Sequence, residues 1–419
     1  MIKALFKKYK SQLGNSAWSI AGLVLMNIVA QIVMFPFLRQ AFGKDGYGEI
    51  QYLMAYVNMI TMTVGCAAGL ARMVTPAQER ASNSGDYNLF LLFISLLGLP
   101  LVLLIRRFGG VILDTPTTIT YYLLFVAMAF RYYADVSYKI TLRYRRYFLY
   151  YTFIGVGYGL GTLLAIRTGI WPLALLCGEA VGVLYAYLAE SNLRRRGLKP
   201  SPACGIVMRC ILLLCLSEGM SNLIQNADRI ILKILVDDGT VTVYYLATLV
   251  GKTMSLITIP LGGVVIGYLV RYNGKLTRRI MNRLTIGCLL AIPLFTAICV
   301  LGGWIALCWL YPEDLVAVRP YLWIGSLAQV LYFVTGLITV VLVRFAQKSY
   351  QIIINGIFGV CFFGIGIPAT IYFGLWGFAV AVVMANLIRW IVAMILGYYH
   401  TFHNQDDPMP ETVQKEEVL

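Results

Sequence analysis

The sequence predicts an all-α polytopic membrane protein, and three observations carry that prediction. Of its 419 residues 59% are hydrophobic and only 13% charged, with a mean hydropathy of +0.76. A soluble domain is about 45–50% apolar and about 25% charged. The apolar residues fall in runs of spanning length, and about 12 transmembrane helices of about 20 residues would use roughly 240 residues, close to the number of apolar residues present. Basic residues gather in alternate connections. Together these exclude a soluble globular enzyme, a disordered chain and a secreted disulfide scaffold.

The elements follow from hydropathy in chain order. A basic start, MIKALFKKYK, leads into an apolar run that is about spanning length and lacks an AxA-like cleavage site, which reads as a retained first helix. The predicted spans are 16–38, 48–71, 87–105, 117–138, 147–166, 171–190, 210–236, 243–269, 284–310, 320–343, 350–373 and 376–399. Residues 167–170 and 374–377 make very short turns, so the spans beside them separate least clearly. Cys66, Cys177, Cys215, Cys288, Cys299, Cys308 and Cys361 lie in apolar runs, with no CxxC pair and no metal-ligand spacing, and read as small packing residues. The only histidines, His400 and His403, are near the end of the chain, so no imidazole chemistry is expected in the membrane. The stretch 400–419 reads as an acidic disordered cytoplasmic tail.

An even number of spans puts both termini on one side. With the N and C termini cytoplasmic, inner segments carry 23 basic residues and outer segments 7. That ratio over short loops is the positive-inside pattern. It also accounts for most of the net charge of +15, which in a soluble protein would suggest nucleic acid. No nucleic acid is expected as a partner. No loop exceeds roughly 20 residues, which leaves no room for a soluble catalytic or receptor domain. No GxxxxGK[ST] loop is present either. The expectation is therefore a protein that is not an enzyme and has no cofactor. Any work would come from Na+ or H+ coupling, the membrane potential or the substrate's own gradient.

The basic stretch at residues 191–205 divides the spans six and six, giving expected bundles at 1–199 and 200–399. A shift of 193 residues lays Asp45-Gly46 on Asp238-Gly239 and Tyr52-Leu53 on Tyr245-Leu246, at equivalent points of the two halves. Halves of six spans each would be parallel repeats, and transporters commonly bind substrate between such repeats.

Ionisable residues within spans are costly, by about 2.5–3.5 kcal/mol each on insertion scales, and normally face a bundle interior or a water-filled cavity. In the seventh span, Glu218, Ser221, Asn222, Gln225, Asn226, Asp228 and Arg229 share one helical face. That face suits either a substrate or ion path or an interhelical hydrogen-bond network. Lys252 lies deep in the eighth span, with Asp228 or Glu218 as a candidate ion-pair partner. Arg131 and Asp135 are four apart in the fourth span, near its inner end, where they can meet on one face. Arg72 ends the second span at the inner face, Arg389 is mid-span in the last helix one turn after Asn386, and Glu179 lies in the sixth. Four membrane cations (Lys252, Arg229, Arg131, Arg389) thus stand against four acids (Asp135, Glu179, Glu218, Asp228). Such a set suits a large anionic substrate, with Arg gripping phosphate bidentately and Lys acting as a point charge. An exporter of organic cations should show a set dominated by acids.

The segment NSAWSIAGLVLMNIVAQIVMFPFLRQAFGKDGYGEIQYLMAYVNMI resembles the opening of the polysaccharide (O-antigen/capsule, Wzx-type) flippases of the multidrug/oligosaccharidyl-lipid/polysaccharide (MOP) exporter superfamily. Its Phe42-Gly43 to Tyr47-Gly48 turn follows a helix that ends in Pro-x-Leu. The second half is similar in NADRIILKILVDDGTVTVYYLATLVGKTMSLITIPL, with Asp228-Arg229, a short turn and Tyr244-Tyr245, and the end FGLWGFAVAVVMANLIRW resembles the family's entry to its last helix. The resemblance covers most of the chain. It implies a MATE-like fold of two six-helix bundles around a central cationic cavity. It also implies movement of an undecaprenyl-pyrophosphate-linked oligosaccharide from the inner to the outer leaflet of the bacterial cytoplasmic (inner) membrane by alternating access. Membrane lipids, a polysaccharide polymerase and chain-length proteins are the implied partners. Peptidoglycan-precursor flippases of the same superfamily typically have two further helices that are not found here.

On this reading Lys252, Arg229 and Arg389 attract the pyrophosphate or acidic sugars, with Arg131 and Arg72 near the inner entrance. Asp228, Glu218, Glu179 and Asp135 handle coupling ions or balance the cations. Asp228-Arg229 and Lys252 follow the family pattern; Arg72, Arg131 and Arg389 are chosen from their own placement. The rivals are an ion-coupled multidrug antiporter of the same superfamily and, from another class, a membrane polysaccharide polymerase or glycosyltransferase. The acid pairs Asp237-Asp238 and Glu313-Asp314 sit in very short turns, which argues against the enzyme.

Overall fold

The computed structural model describes residues 18, 21–75, 84–141, 143–194, 197–253, 276–345 and 349–403. The basic start, most of the predicted eighth span and residues 404–419 of the predicted tail lie outside them. Among the described residues the regular structure is helical throughout, with no strand.

The first two helices form one apolar stretch, Ala21–Met73. A straight helix of that length would extend about 80 Å, against a hydrocarbon core of about 30 Å, so it has to fold. It does so at Gly43, whose φ of 74° and ψ of −178° fall in a region that essentially only glycine occupies. The break makes α1 (21–42, with a π-helical turn at Val29–Met34) and α2 (44–74). There follow α3 (Ser84–Phe108), α4 (Thr115–Thr141), α5 (Tyr144–Thr168) and α6 (Leu173–Ala189). Next come α7 (Cys204–Leu235), α8 (described over 238–253), α9 (Arg278–Leu310) and α10 (Leu315–Phe345). A second long apolar stretch, Ser349–His403, breaks at Gly374 (φ 58°, ψ −140°) into α11 (349–373) and α12 (375–403). Apart from α8, whose later part lies outside the described residues, these helices lie within a few residues of the predicted spans, and among the described residues seven helical stretches are long and apolar enough to cross a membrane.

The chain forms two compact units, Met1–Thr242 and Val243–Leu419. In the first, α7 packs along α2, and Asn222 Nδ2 donates to Thr63 Oγ1 at 3.1 Å. The connection before α7 is tied to the start of α3. Asp86 accepts from Ser201 N (2.7 Å) and Ser201 Oγ (2.6 Å), while Asn88 Nδ2 donates to the carbonyls of Leu193 and Gly197. The two aligned Asp-Gly segments meet. A Cβ on Gly48 would stand 1.9 Å from the Asp238 carbonyl oxygen, and Thr242 Oγ1 donates to the Lys44 carbonyl at 2.7 Å. Only a glycine admits that approach.

The cores of the units differ in kind. The first buries tyrosines, including Tyr47, Tyr87, Tyr121, Tyr133, Tyr138 and Tyr150. Several of their hydroxyls are satisfied internally: Tyr121 donates to the Leu53 carbonyl and Tyr150 to that of Arg131. The second is largely aliphatic, built around Met281, Cys299, Leu342, Ile354 and Ala393. Large apolar side chains such as Phe93, Leu96, Leu213, Leu216, Leu290 and Leu301 point outward and are exposed. A surface that apolar is at home in lipid rather than water.

Candidate functional site

Arg131 (α4), Tyr158 (α5) and Glu179 (α6) converge inside the first unit because α5 and α6 approach closely. A Cβ on Gly157 would lie 2.4 Å from Gly178 Cα, and one on Gly161 2.5 Å from the Leu173 carbonyl oxygen. Small residues four apart permit this contact in membrane helices. It brings Tyr158 OH to Glu179 Oε1 at 2.5 Å, and Arg131 Nε lies 2.5 Å from Glu179 Oε2. The Arg131 guanidinium also stacks over the Tyr132 ring, 4.0 Å from its centroid. Glu179 is fully buried and Arg131 nearly so. The expected meeting of Arg131 and Asp135 does not occur. Arg131 turns to Glu179, while Asp135 pairs with Lys139 one turn along α4 and accepts from Tyr151 OH at 2.9 Å. The physical reason is burial: the cation in the bundle interior takes the buried carboxylate, and the carboxylate nearer the helix end takes the half-exposed lysine.

Arg72, at the end of α2, is buried. It donates from Nη1 to Tyr133 OH at 2.5 Å and from Nη2 to Ser84 Oγ at 3.4 Å, with the Tyr87 and Tyr133 rings beside it. On α7 the predicted polar face is part buried and part open. Asn222, Asn226 and Asp228 are buried, Glu218 is half-buried, and Ser221 and Gln225 are exposed. Asp228 Oδ1 accepts from the Arg229 backbone N at 2.9 Å and lies 3.9 Å from Arg229 Nε.

In the second unit α8 packs tightly on α10, where a Cβ on Gly251 would meet Gln329 Cβ at 2.5 Å, and on α12 through Tyr244 and Phe378, with ring centroids 5.1 Å apart. Lys252 is half-buried there, with Nζ 5.8 Å from the Tyr245 ring centroid. Arg389, in the middle of α12, is only 5% exposed. Its guanidinium lies against two neighbouring rings, 4.5 Å from the centroid of Tyr332 (α10) and 5.0 Å from that of Phe358 (α11). Nη2 donates to Asn355 Oδ1 at 3.0 Å, while Nε and Nη1 have no hydrogen-bond partner among the described residues. Two desolvated ring faces are worth about 2 kcal/mol each and a charged hydrogen bond about 1.5–3 kcal/mol. Neither carries a negative charge, so the enclosure keeps its net +1.

Spacing rules point to neighbours on the same helix, so Tyr158, Tyr332, Asn355 and Phe358 escaped the sequence reading. For Tyr158 the glycines of Gly157-x-x-x-Gly161 are the accompanying signal.

No protein-family model and no curated protein matches the sequence. Solved structures do match the fold. An inward-facing multidrug resistance MATE family transporter of the MOP superfamily aligns with a TM-score of 0.65 at 14% identity, over 92% of this chain and 98% of that one. The lipid II flippase MurJ, in an inward closed conformation, aligns at 0.62 and 13% identity, over 100% and 96%. A MOP superfamily transporter from Pyrococcus furiosus, described as having a binding pocket of reversed polarity, aligns at 0.59 and 15% identity, over 92% and 94%. The chain is therefore a multi-pass membrane protein with the fold of the MATE and MurJ transporters of the MOP superfamily.

Proposed function

We propose that this protein is a flippase that carries an undecaprenyl-pyrophosphate-linked oligosaccharide from the cytoplasmic to the outer leaflet of the bacterial inner membrane, for surface polysaccharide synthesis. A charged, sugar-bearing head cannot cross hydrocarbon without polar partners. The observation that carries the reading is the charge of the second unit. Residues 243–403 hold ten Lys and Arg but two carboxylates, Glu313 and Asp314, side by side in one turn. The helices of that unit therefore offer cations, Lys252 among them, and no carboxylate, an arrangement suited to an anion and unsuited to an organic cation.

Lys252 and Arg229 are the cations assigned to the head group, and Arg72 to its entry at the inner face. Arg131 and Glu179 neutralise one another and brace three helices, as Asp135 does with Lys139. Glu218 is left as the carboxylate assigned to H+ or Na+ coupling. A polysaccharide polymerase is the expected recipient of the flipped unit.

The test is leaflet accessibility of the lipid-linked oligosaccharide in cells with and without the gene. Intermediates held on the cytoplasmic leaflet in its absence, with the same defect in Lys252→Ala, are the expected outcome. Normal outer-leaflet pools overturn the reading. A second reading, an ion-coupled multidrug antiporter, draws on the shared MATE fold. Transport of a cationic dye against a Na+ or H+ gradient would favour it.

A further inference from the structure

The second unit encloses a charge that its own residues do not answer. Arginine stays protonated under all conditions a protein meets. The two carboxylates of 243–403 lie in the turn Pro312–Asp314, just before α10. Two helices later, α12 begins at the same side, and Arg389 is fourteen residues further on, roughly 20 Å along the axis. Glu313 and Asp314 are thus out of reach. What surrounds the guanidinium is Tyr332, Phe358 and the Asn355 amide, all neutral, and Nε and Nη1 remain unpartnered among the described residues. A buried cation without a counter-charge is the costliest arrangement a bundle can hold.

We propose that the Arg389 enclosure binds a small monovalent anion of the halide class within the second unit, held by the guanidinium N–H groups that Asn355 leaves free. Size and geometry choose the class. Arg389 is only 5% exposed, with two adjoining rings against its guanidinium, which excludes a sugar-bearing head group from this position. A guanidinium grips a carboxylate or phosphate through paired N–H groups. One Nη2 hydrogen goes to Asn355, which leaves a single pair free, and the near-complete burial of Arg389 favours a small acceptor there over a planar polyatomic one. The bound anion neutralises the interior whatever substrate the protein carries, so this site and the flippase reading stand or fall separately.

The experiment uses the purified full chain in detergent, dialysed into sodium gluconate, with chloride added at constant ionic strength. Equilibrium dialysis with radioactive chloride should give saturable binding of about one ion per chain, accompanied by a chloride-specific rise in unfolding temperature, as linkage requires. The decisive variant is Asn355→Asp, which keeps Arg389 and supplies a tethered carboxylate at the 3.0 Å contact. It should weaken chloride binding at least ~10-fold. Arg389→Met should abolish binding, and Arg389→Lys should keep it with reduced affinity. No saturable chloride binding in the wild type, or unchanged binding in Asn355→Asp, overturns the proposal. So does saturable binding of inorganic phosphate that chloride does not displace.

Discussion

Arg131 and Arg389 are both arginines buried in the middle of a helix, and the two units treat them differently. In the first unit Arg131 meets Glu179 at 2.5 Å, and Tyr158 holds the other carboxylate oxygen. In the second, Arg389 meets two rings and an amide but no acid. One charge is closed into the framework, and the other is left for something that comes and goes. The difference teaches that an intramembrane charge is not by itself a site; what marks a candidate is a charge whose own unit declines to neutralise it.

The largest effect should come from breaking the closed pair. Glu179→Ala leaves Arg131 buried and uncompensated, which typically costs 3–5 kcal/mol, about the scale of a whole domain's margin. Thermal unfolding in detergent should show a large drop. The double variant Arg131→Met, Glu179→Leu should recover most of it, because two well-packed apolar groups replace a matched pair at little net cost. If Glu179→Ala unfolds like the wild type, Arg131 is answered elsewhere and the contrast between the units fails.

The next effect is one the two units should share. Gly43 and Gly374 both break a long apolar stretch at positive φ, and alanine at either position should cost about 1–3 kcal/mol of backbone strain. Similar losses of unfolding temperature for Gly43→Ala and Gly374→Ala would show that the units differ in charge but not in how their helices turn. A large loss at one and none at the other would assign that turn to packing instead.

Much of this was open to reading in advance. Both breaks were marked by Phe-Gly pairs, Phe42-Gly43 and Phe373-Gly374, and hydropathy alone set helices such as Ser84–Phe108 around the predicted 87–105. The charged groups were also visible, since each interrupts an apolar run. Their partners were not. Residues four apart suggested Arg131 with Asp135, whereas the true partner is 48 residues away on α6, which Gly157, Gly161 and Gly178 hold close to α5 and its Tyr158. Tyr332 and Phe358 lie in apolar runs where an aromatic residue carries no signal, so the enclosure around Arg389 could not be read from spacing. Periodicity speaks of one helix at a time, and these contacts belong to three.

A smaller effect separates exposed pairs from enclosed ones in the first unit. Asp135 and Lys139 form an ion pair one turn apart, with the lysine side chain half-exposed. Water screens such a pair, and its usual worth is 0–1 kcal/mol. Lys139→Met should therefore shift the unfolding temperature little, by about 0.5 kcal/mol equivalent, while Tyr151 continues to donate to Asp135. A loss approaching that of Glu179→Ala would mean that depth in the bundle, and not the identity of the partner, sets the cost.

The smallest loss of stability is expected where the charge is greatest. Arg389→Met gives up a charged hydrogen bond and two ring contacts, together a few kcal/mol at most. It also removes the cost of holding an uncompensated cation away from water, which is several kcal/mol in a bundle interior. Methionine refills the volume with a side chain that packs well against aromatic edges, here those of Tyr332 and Phe358. In halide-free buffer the variant should unfold at the wild-type temperature or above it, within about 1 kcal/mol. Added chloride should then raise the wild type alone. A loss of several kcal/mol without halide would place Arg389 beside Arg131 as a structural charge, and the two units would no longer differ.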